Sequence, residues 1–269
     1  MTIRKVGRIA IDLLAGALVL SAVASLTGVP ARFANRASED GTTNGNRGAF
    51  FIPQASGAVS STPACEQPTL IGRVVVASVA ARTEPSSRSP RIARFHQTNA
   101  QGAPQVVDLD GSAGDRPGGT WFRALLPIRP NGTFGYFPAG SLSVLRTSYR
   151  VVVDRQKLRL TLWNGCHREK VFGIGLGKES TPTPNGNFYI VSLLKPPLAG
   201  SVYGNYAYGL SAFSDALTDW AGGGIIGLHG TNDPSSIGNR KSHGCIRLYN
   251  WDIAKLVPIL PLGTPVEIR

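Results

Sequence analysis

The run Lys157-Leu158-Arg159-Leu160-Thr161-Leu162-Trp163-Asn164-Gly165 decides the fold. It reads as a strand, and Asn164-Gly165 suits a tight hairpin turn at its end. Tyr149 to Val153 precedes it as one strand, and Lys170 to Leu176 follows it as another. Phe188 to Leu194 makes a fourth, and Val266-Glu267-Ile268 a closing one. Pro196 to Gly224 carries many Gly, Tyr and small residues without a clean period, so it reads as a long functional loop. Ile225 to His229 and Ser242 to Leu248 are apolar segments on either side of a Gly/Asn/Pro loop. Trp251 to Leu256 suits a short helix with Asn250 as its N-cap. With 32 Gly and 19 Pro in 269 residues, the whole chain reads as mainly β.

Working outward, residues 69–146 hold shorter apolar runs: Val74-Val75-Val76, Trp121 to Leu125, and Phe134-Gly135-Tyr136-Phe137. Gly111 to Gly119 and Asn131-Gly132 supply turns between them, which predicts a small β-barrel. The order Ala81-Arg82-Thr83-Glu84-Pro85, Gly119-Thr120-Trp121-Phe122-Arg123 and Gly135-Tyr136-Phe137-Pro138 resembles the bacterial SH3-like domains of wall enzymes. Such a domain serves either as a wall-binding module or as a spacer. Residues 31–68 turn to Ser, Thr, Asn, Gly, Pro and Ala, a composition that predicts a flexible linker. Residues 1–30 begin with Arg4, Lys5 and Arg8 ahead of an apolar stretch from Ile9 to Val29. That is the pattern of a signal peptide or a membrane anchor, and either one places the remainder outside the cytoplasm.

The net charge of +12 favours an anionic partner: nucleic acid, an anionic membrane, or a cell wall carrying phosphate polymers and carboxylates. No long basic run and no aromatic-basic RNA-binding motif is present, so nucleic acid is not the expected partner. The cysteines number three: Cys65, Cys166 and Cys245. An odd count in an exported protein implies one disulfide plus a free thiol, or no disulfide at all. The neighbours of Cys245 mark it as free, which leaves a Cys65–Cys166 bridge or two further thiols as the alternatives.

Those neighbours carry the chemistry. Ile226-Gly227-Leu228-His229-Gly230-Thr231 is followed, across a loop, by Ser242-His243-Gly244-Cys245-Ile246-Arg247-Leu248. A thiol beside a glycine, with two of the chain's four histidines close by, suggests Cys/His nucleophilic catalysis. Gly244 allows close approach of an acyl group and leaves amide hydrogens for an oxyanion. Two competing readings exist. His243 and Cys245 at i and i+2 on a strand face, with His229, make a partial zinc set lacking a fourth ligand. Alternatively, the cluster is an inert buried cysteine with structural histidines.

His229, Cys245 sixteen positions later (245 − 229 = 16), and Ser242-His243-Gly244-Cys245 resemble the signature of the YkuD-type L,D-transpeptidase catalytic domain. Gly177-Lys178-Glu179-Ser180-Thr181-Pro182-Thr183-Pro184-Asn185-Gly186-Asn187-Phe188-Tyr189 is similar to an upstream loop and strand of that family. The resemblance covers 147–269 and implies a β-sandwich-like domain capped by a loop. It further implies Cys245 as nucleophile and His229 as general base, with Gly230 offering its carbonyl to orient the imidazole. His243, Gly244, Gly230, Ser242 and Arg247 become candidates for the oxyanion hole or substrate positioning, Arg247 through a substrate carboxylate or by bracing the loop. The implied partners are peptidoglycan stem peptides and anionic wall polymers, with no cofactor and no metal. A stem-peptide thioester would pass to an amine and form a cross-link. Water as acceptor would make the protein an L,D-carboxypeptidase instead, and a degenerate site would leave only a wall-binding protein. Carbapenems are expected to acylate the cysteine of this family.

Overall fold

A computed structural model describes residues 64–116, 119–197, 200–218 and 223–269, with the side chains of 111–116 left aside. The predicted signal or anchor over 1–30, and the linker over 31–68 as far as residue 63, lie outside the described residues. No helix among the described residues is long and apolar enough to cross a membrane.

The first sheet takes β1 (Thr69–Val74), β2 (Ser78–Arg82), β3 (Arg91–His96), β4 (Val106–Arg116), β5 (Gly119–Leu125), β6 (Phe134–Pro138) and β7 (Leu142–Thr147). They pair antiparallel throughout in the order β3-β2-β6-β5-β4-β1-β7. Val74, Val79, Phe95, Leu109, Ala124, Phe137 and Leu142 come from seven different strands and meet in one buried cluster, so the sheet curls round its own core.

The second sheet follows directly. It is built from β8 (Tyr149–Asp154), β9 (Arg159–Asn164), β10 (His167–Gly173), β12 (Gly186–Leu194), β13 (Ala207–Phe213), β14 (Ile225–His229), β16 (Ile246–Arg247) and β17 (Pro265–Ile268). Their order is β10-β9-β8-β17-β12-β13-β14-β16, antiparallel except for β8–β17 and β14–β16. β11 (Leu176–Gly177) and β15 (Arg240–Ser242) form a separate parallel pair. The one α-helix among the described residues, α1 (Asn250–Leu256), buries Ile253 and Leu256 in the second core with Leu160, Leu162, Ile226 and Leu228. Truncating one of these leucines to alanine costs about 3 kcal/mol of transfer and cavity energy.

The chain is mainly β, as its composition predicts, but four local expectations change. The hairpin between β9 and β10 turns on Gly165 and Cys166, with Asn164 still paired to His167 and Gly165 at φ 54°. β10 stops at Gly173, because the chain leaves β9 there to pair Gly175 with Arg247. Pro196–Gly224 is not loop throughout: β13 lies inside it, its glycine and tyrosine serving a buried strand flanked on both sides. Asn250 does not cap α1, for Tyr249 occupies that position and the Asn250 carboxamide is engaged elsewhere.

The two sheets share a third buried patch of Ile71, Val106, Leu125, Tyr189 and Val191. Tyr189 Oη donates to Leu125 O across it at 3.1 Å. A disulfide joins Cys65 to Cys166, pinning the chain just before β1 to the β9–β10 turn and leaving Cys245 as the free thiol.

Candidate active site

Cys245 sits on a turn held from below. β15 runs beside β11 with Ser242 opposite Gly177. The buried Thr183 hydroxyl donates to Gly244 O at 2.8 Å and accepts the Gly177 N–H at 3.0 Å. Ser242 Oγ donates to Cys245 O at 2.6 Å and accepts the Gly244 N–H at 3.1 Å. Gly244 has φ +117°, and a Cβ there would stand 2.9 Å from Ile226 Cδ1, so both backbone and packing demand glycine. That bend splits the expected segment Ser242–Leu248 into β15 and β16. It also overturns the idea that His243 and Cys245 share a strand face: His243 is exposed on the bend, outside the cleft that holds Cys245.

His229 ends β14, beside β16, and is buried. Its Nδ1 is hydrogen-bonded to Gly230 O. With Nδ1–H as donor to that carbonyl, Nε2 is the basic nitrogen. Asn250 holds the next peptide: its Oδ1 accepts from Thr231 N at 3.0 Å and its Nδ2 donates to Thr231 O at 2.9 Å. Asn250 Oδ1 also fills the space a Cβ on Gly230 would need, so a side chain there would break this clamp. Tyr203 sets its ring edge-on to the imidazole at 5.1 Å between centroids.

Gly227 lies between the two reactive groups. Its N–H donates to Cys245 Sγ at 3.3 Å, and a Cβ built on it would be 3.2 Å from His229 Cδ2 and 3.6 Å from Cys245 Sγ. Thiol and imidazole therefore face the same gap. Both line a largely apolar cleft of about 610 Å³.

Burial dominates the electrostatics. It lowers the His229 pKa to about 4, helped by the Arg247 charge and opposed by the Gly230 hydrogen bond. Burial also raises the Cys245 thiol above its ordinary value, against the Gly227 N–H and Arg247, which pull it down. The resting pair is consequently thiol and neutral imidazole. Arg247 is the nearby cation: its backbone pairs with Gly175 at 2.8 and 2.9 Å, and its Nη1 lies 3.9 Å from Asp233. Its Nε is buried with no hydrogen-bond partner among the described residues.

The predicted residues thus divide. Cys245 and His229 line one cleft, Gly230, Gly244, Ser242 and Arg247 lie beside them along the chain and are partly or fully buried, and His243 is exposed on the bend. Among the described residues no three His, Cys, Asp or Glu side chains gather as a metal would require. Gly227, Thr183, Asn250 and Tyr203 belong to the site without having been singled out for it. Two of them had a signal: Thr183 stands in the upstream stretch similar to the transpeptidase family, and Gly227 in the segment that carries His229.

Comparison with known proteins points the same way. The YkuD family, the L,D-transpeptidase catalytic domain, matches residues 148–268. A Bacillus licheniformis protein named as an L,D-transpeptidase, YkuD, is 35% identical over 153 residues, 54% of this chain and 85% of that protein. Its Bacillus subtilis namesake is 38% identical over 121 residues, covering 45% of this chain and 66% of its own. A Mycobacterium tuberculosis L,D-transpeptidase of known crystal structure aligns over 61% of this chain and 90% of that one, at 16% identity and a TM-score of 0.41. Related in sequence over most of the length of a single-named relative, and carrying that family's domain on its second sheet, the chain belongs to the L,D-transpeptidase family.

Proposed function

We propose that this acyltransferase works outside the cytoplasm as a peptidoglycan L,D-transpeptidase, with Cys245 as its nucleophile and His229 as its base. The observation that carries the reading is the gap at Gly227: thiol and imidazole front one cleft, and the Gly230 carbonyl leaves Nε2 as the basic nitrogen. Nε2 takes the thiol proton as sulfur attacks the carbonyl between the third and fourth residues of a stem peptide. The Gly244 N–H is committed to Ser242, so the Cys245 amide is the oxyanion donor this turn offers. The C–N bond then breaks, the amine of the terminal D-alanine leaves with the proton from His229, and a thioester remains on sulfur. A side-chain amine of a second stem attacks that thioester, its proton passes through His229, and the thiol is restored. Arg247 favours the developing negative charge and disfavours an imidazolium that outlives it.

Ser242, Thr183 and Asn250 act as positioning residues, and none of these steps draws on a metal or other cofactor. The first sheet, read over 69–146 as an SH3-like domain, and the strongly basic chain suit work beside anionic wall polymers. The leading segment over 1–30 serves export or anchoring in this reading.

The test is intact-protein mass after incubation with a carbapenem, wild type beside Cys245→Ala, both checked for folding by circular dichroism. One adduct of full carbapenem mass on wild type alone is expected. An adduct on Cys245→Ala, or none on folded wild type, would overturn the assignment. Products formed with and without an added amine acceptor then separate cross-linking from hydrolysis.

A further inference from the structure

We infer that the first sheet completes the acyl site, and that Gln101 on its β3–β4 turn is a specificity residue contacting the stem peptide bound at Cys245. This rests on Cys245 being the acylated group. Gln101 belongs to the first sheet's connections, yet it lines the same cleft as Cys245 and His229.

The turn that presents it is built for the purpose. Asn99 Oδ1 accepts the N–H of Gln101 and of Ala103, each at 3.0 Å, while Asn99 N donates to Ala103 O at 2.8 Å. The other end of the same carboxamide, Nδ2, donates to Val191 O on β12 at 2.9 Å. One side chain thus shapes the turn and fastens it to the second sheet.

A second fastening keeps the sheets in register. Arg129, in the β5–β6 connection, donates to Ser214 O at 2.9 Å, Gly223 O at 3.1 Å and Leu217 O at 3.3 Å. Asn131 exchanges two hydrogen bonds with the Phe213 backbone, at 2.8 and 2.9 Å. Phe213 ends β13 and pairs with Ile225 at the start of β14, the strand of Gly227 and His229. The first sheet therefore grips the hairpin that carries the base, and Gln101 faces the cleft at a set position.

Gln101 is exposed, and its carboxamide makes no hydrogen bond to any described residue. The cleft it shares is largely apolar, lined by Leu194, Pro196, Pro197 and Ile225, with Lys195, Ser192 and Ser201 among its polar side chains. A group that both donates and accepts, set in a largely apolar wall, matches a peptide unit, which does the same. Beyond Gln101 and Ile225 the cleft adjoins a second hollow of about 280 Å³ between the sheets, with Arg94 and His96 among its lining residues. A peptide extending from the acylated carbonyl has room to run across Gln101 toward it.

The experiment compares Gln101→Ala with wild type on two acyl donors in the full chain. One is a carbapenem, too small to reach past the thiol; the other is a stem tetrapeptide, whose KM is measured. A KM raised about tenfold, with carbapenem acylation within twofold of wild type, is the expected result. An unchanged KM overturns the inference, and so does an equal loss with both donors, which would mark Gln101 as merely structural. Asn99→Ala, which frees the turn, is expected to reproduce the KM effect. If folded wild type is acylated by neither donor, it is the Cys245 assignment that fails.

Discussion

Replacing Gly227 with alanine inserts a single methyl between the thiol and the imidazole. Its Cβ would lie 3.2 Å from His229 Cδ2 and 3.6 Å from Cys245 Sγ, with Tyr208 O at 3.5 Å. Only the first contact is tighter than ordinary packing. The Gly227 backbone lies outside the left-handed region, so alanine meets no conformational penalty. The N–H donated to sulfur is also retained, because substitution leaves the backbone in place. Stability should change by less than about 1 kcal/mol, as for other tolerated strand substitutions. Catalysis should not be so forgiving. The imidazole must give way by a few tenths of an ångström, and the methyl occupies the gap the proton crosses. A misplacement of about 1 Å can cost about 10²-fold, and loss of a positioned base between 10² and 10⁴. We expect acylation to fall by about 10²- to 10³-fold, or about 3–4 kcal/mol at 1.36 kcal/mol per tenfold. Single-turnover acylation by a carbapenem, followed by mass spectrometry, measures it beside a thermal melt. A folded Gly227→Ala protein acylated within threefold of wild type would show that the thiol proton does not travel through this gap.

Four further outcomes follow from the charges and the cross-link. With His229 neutral down to about pH 4, the acid limb of kcat/KM should fall near pH 4 to 5; a limb at the ordinary histidine value near 6.5 would refute the buried neutral base. Because burial raises the Cys245 thiol, iodoacetamide alkylation should inflect above the pH of an ordinary cysteine, and an inflection below it would reveal a resting thiolate. Asp108 is pushed up to about 7, first by burial and then by Asp110. A raised carboxyl contributes stability below about pH 4 that is lost as pH climbs through 7, so Asp108→Asn should stabilise by about 2 kcal/mol at pH 8, discounted for partial exposure, and little at pH 4. Urea melts at the two pH values check the sign. Replacing Cys65 and Cys166 by serine opens a loop of sequence separation 101 and should lower stability by about 2–5 kcal/mol in the same assay, with equal midpoints counting against any structural role for the bridge.

Much of the fold is legible in the sequence. The strand at Tyr149 and the closing strand at Val266 appear where apolar runs meet turn residues, and those signals are local. The proposed catalytic pair stands out in the sequence because Cys245 and His229 lie in two short segments with distinctive neighbours. What escaped were residues whose roles depend on distant partners. Asn250 looks like a helix cap because an asparagine before an apolar run usually is one. Its carboxamide is instead taken by Thr231, a contact that exists only after β14 and α1 are brought together. β13 escaped because Gly209 and Ala207 break any strand period, and its stability comes from pairing on both edges with β12 and β14. Gln101 carried no signal at all, since nothing in its own neighbourhood shows that the first sheet reaches the cleft.

The neutral resting pair suits the location proposed for this chain. A thiolate held at rest would be the form most open to oxidation outside the cytoplasm, where the same molecule keeps Cys65 and Cys166 joined. Burial sets the charges the other way: it raises the thiol and lowers the imidazole, so neither ion accumulates before substrate arrives. Arg247 then works unequally on the two. Its positive charge favours the sulfur anion and opposes the imidazolium, which in the proposed mechanism would bring the proton to Nε2 only as the acyl group takes up the sulfur's charge, and would return it promptly to the leaving amine. The same balance gives Gly227 its importance. With no stored thiolate to draw on, the proposed reaction depends on a proton crossing one gap, and a residue without a side chain keeps that gap open.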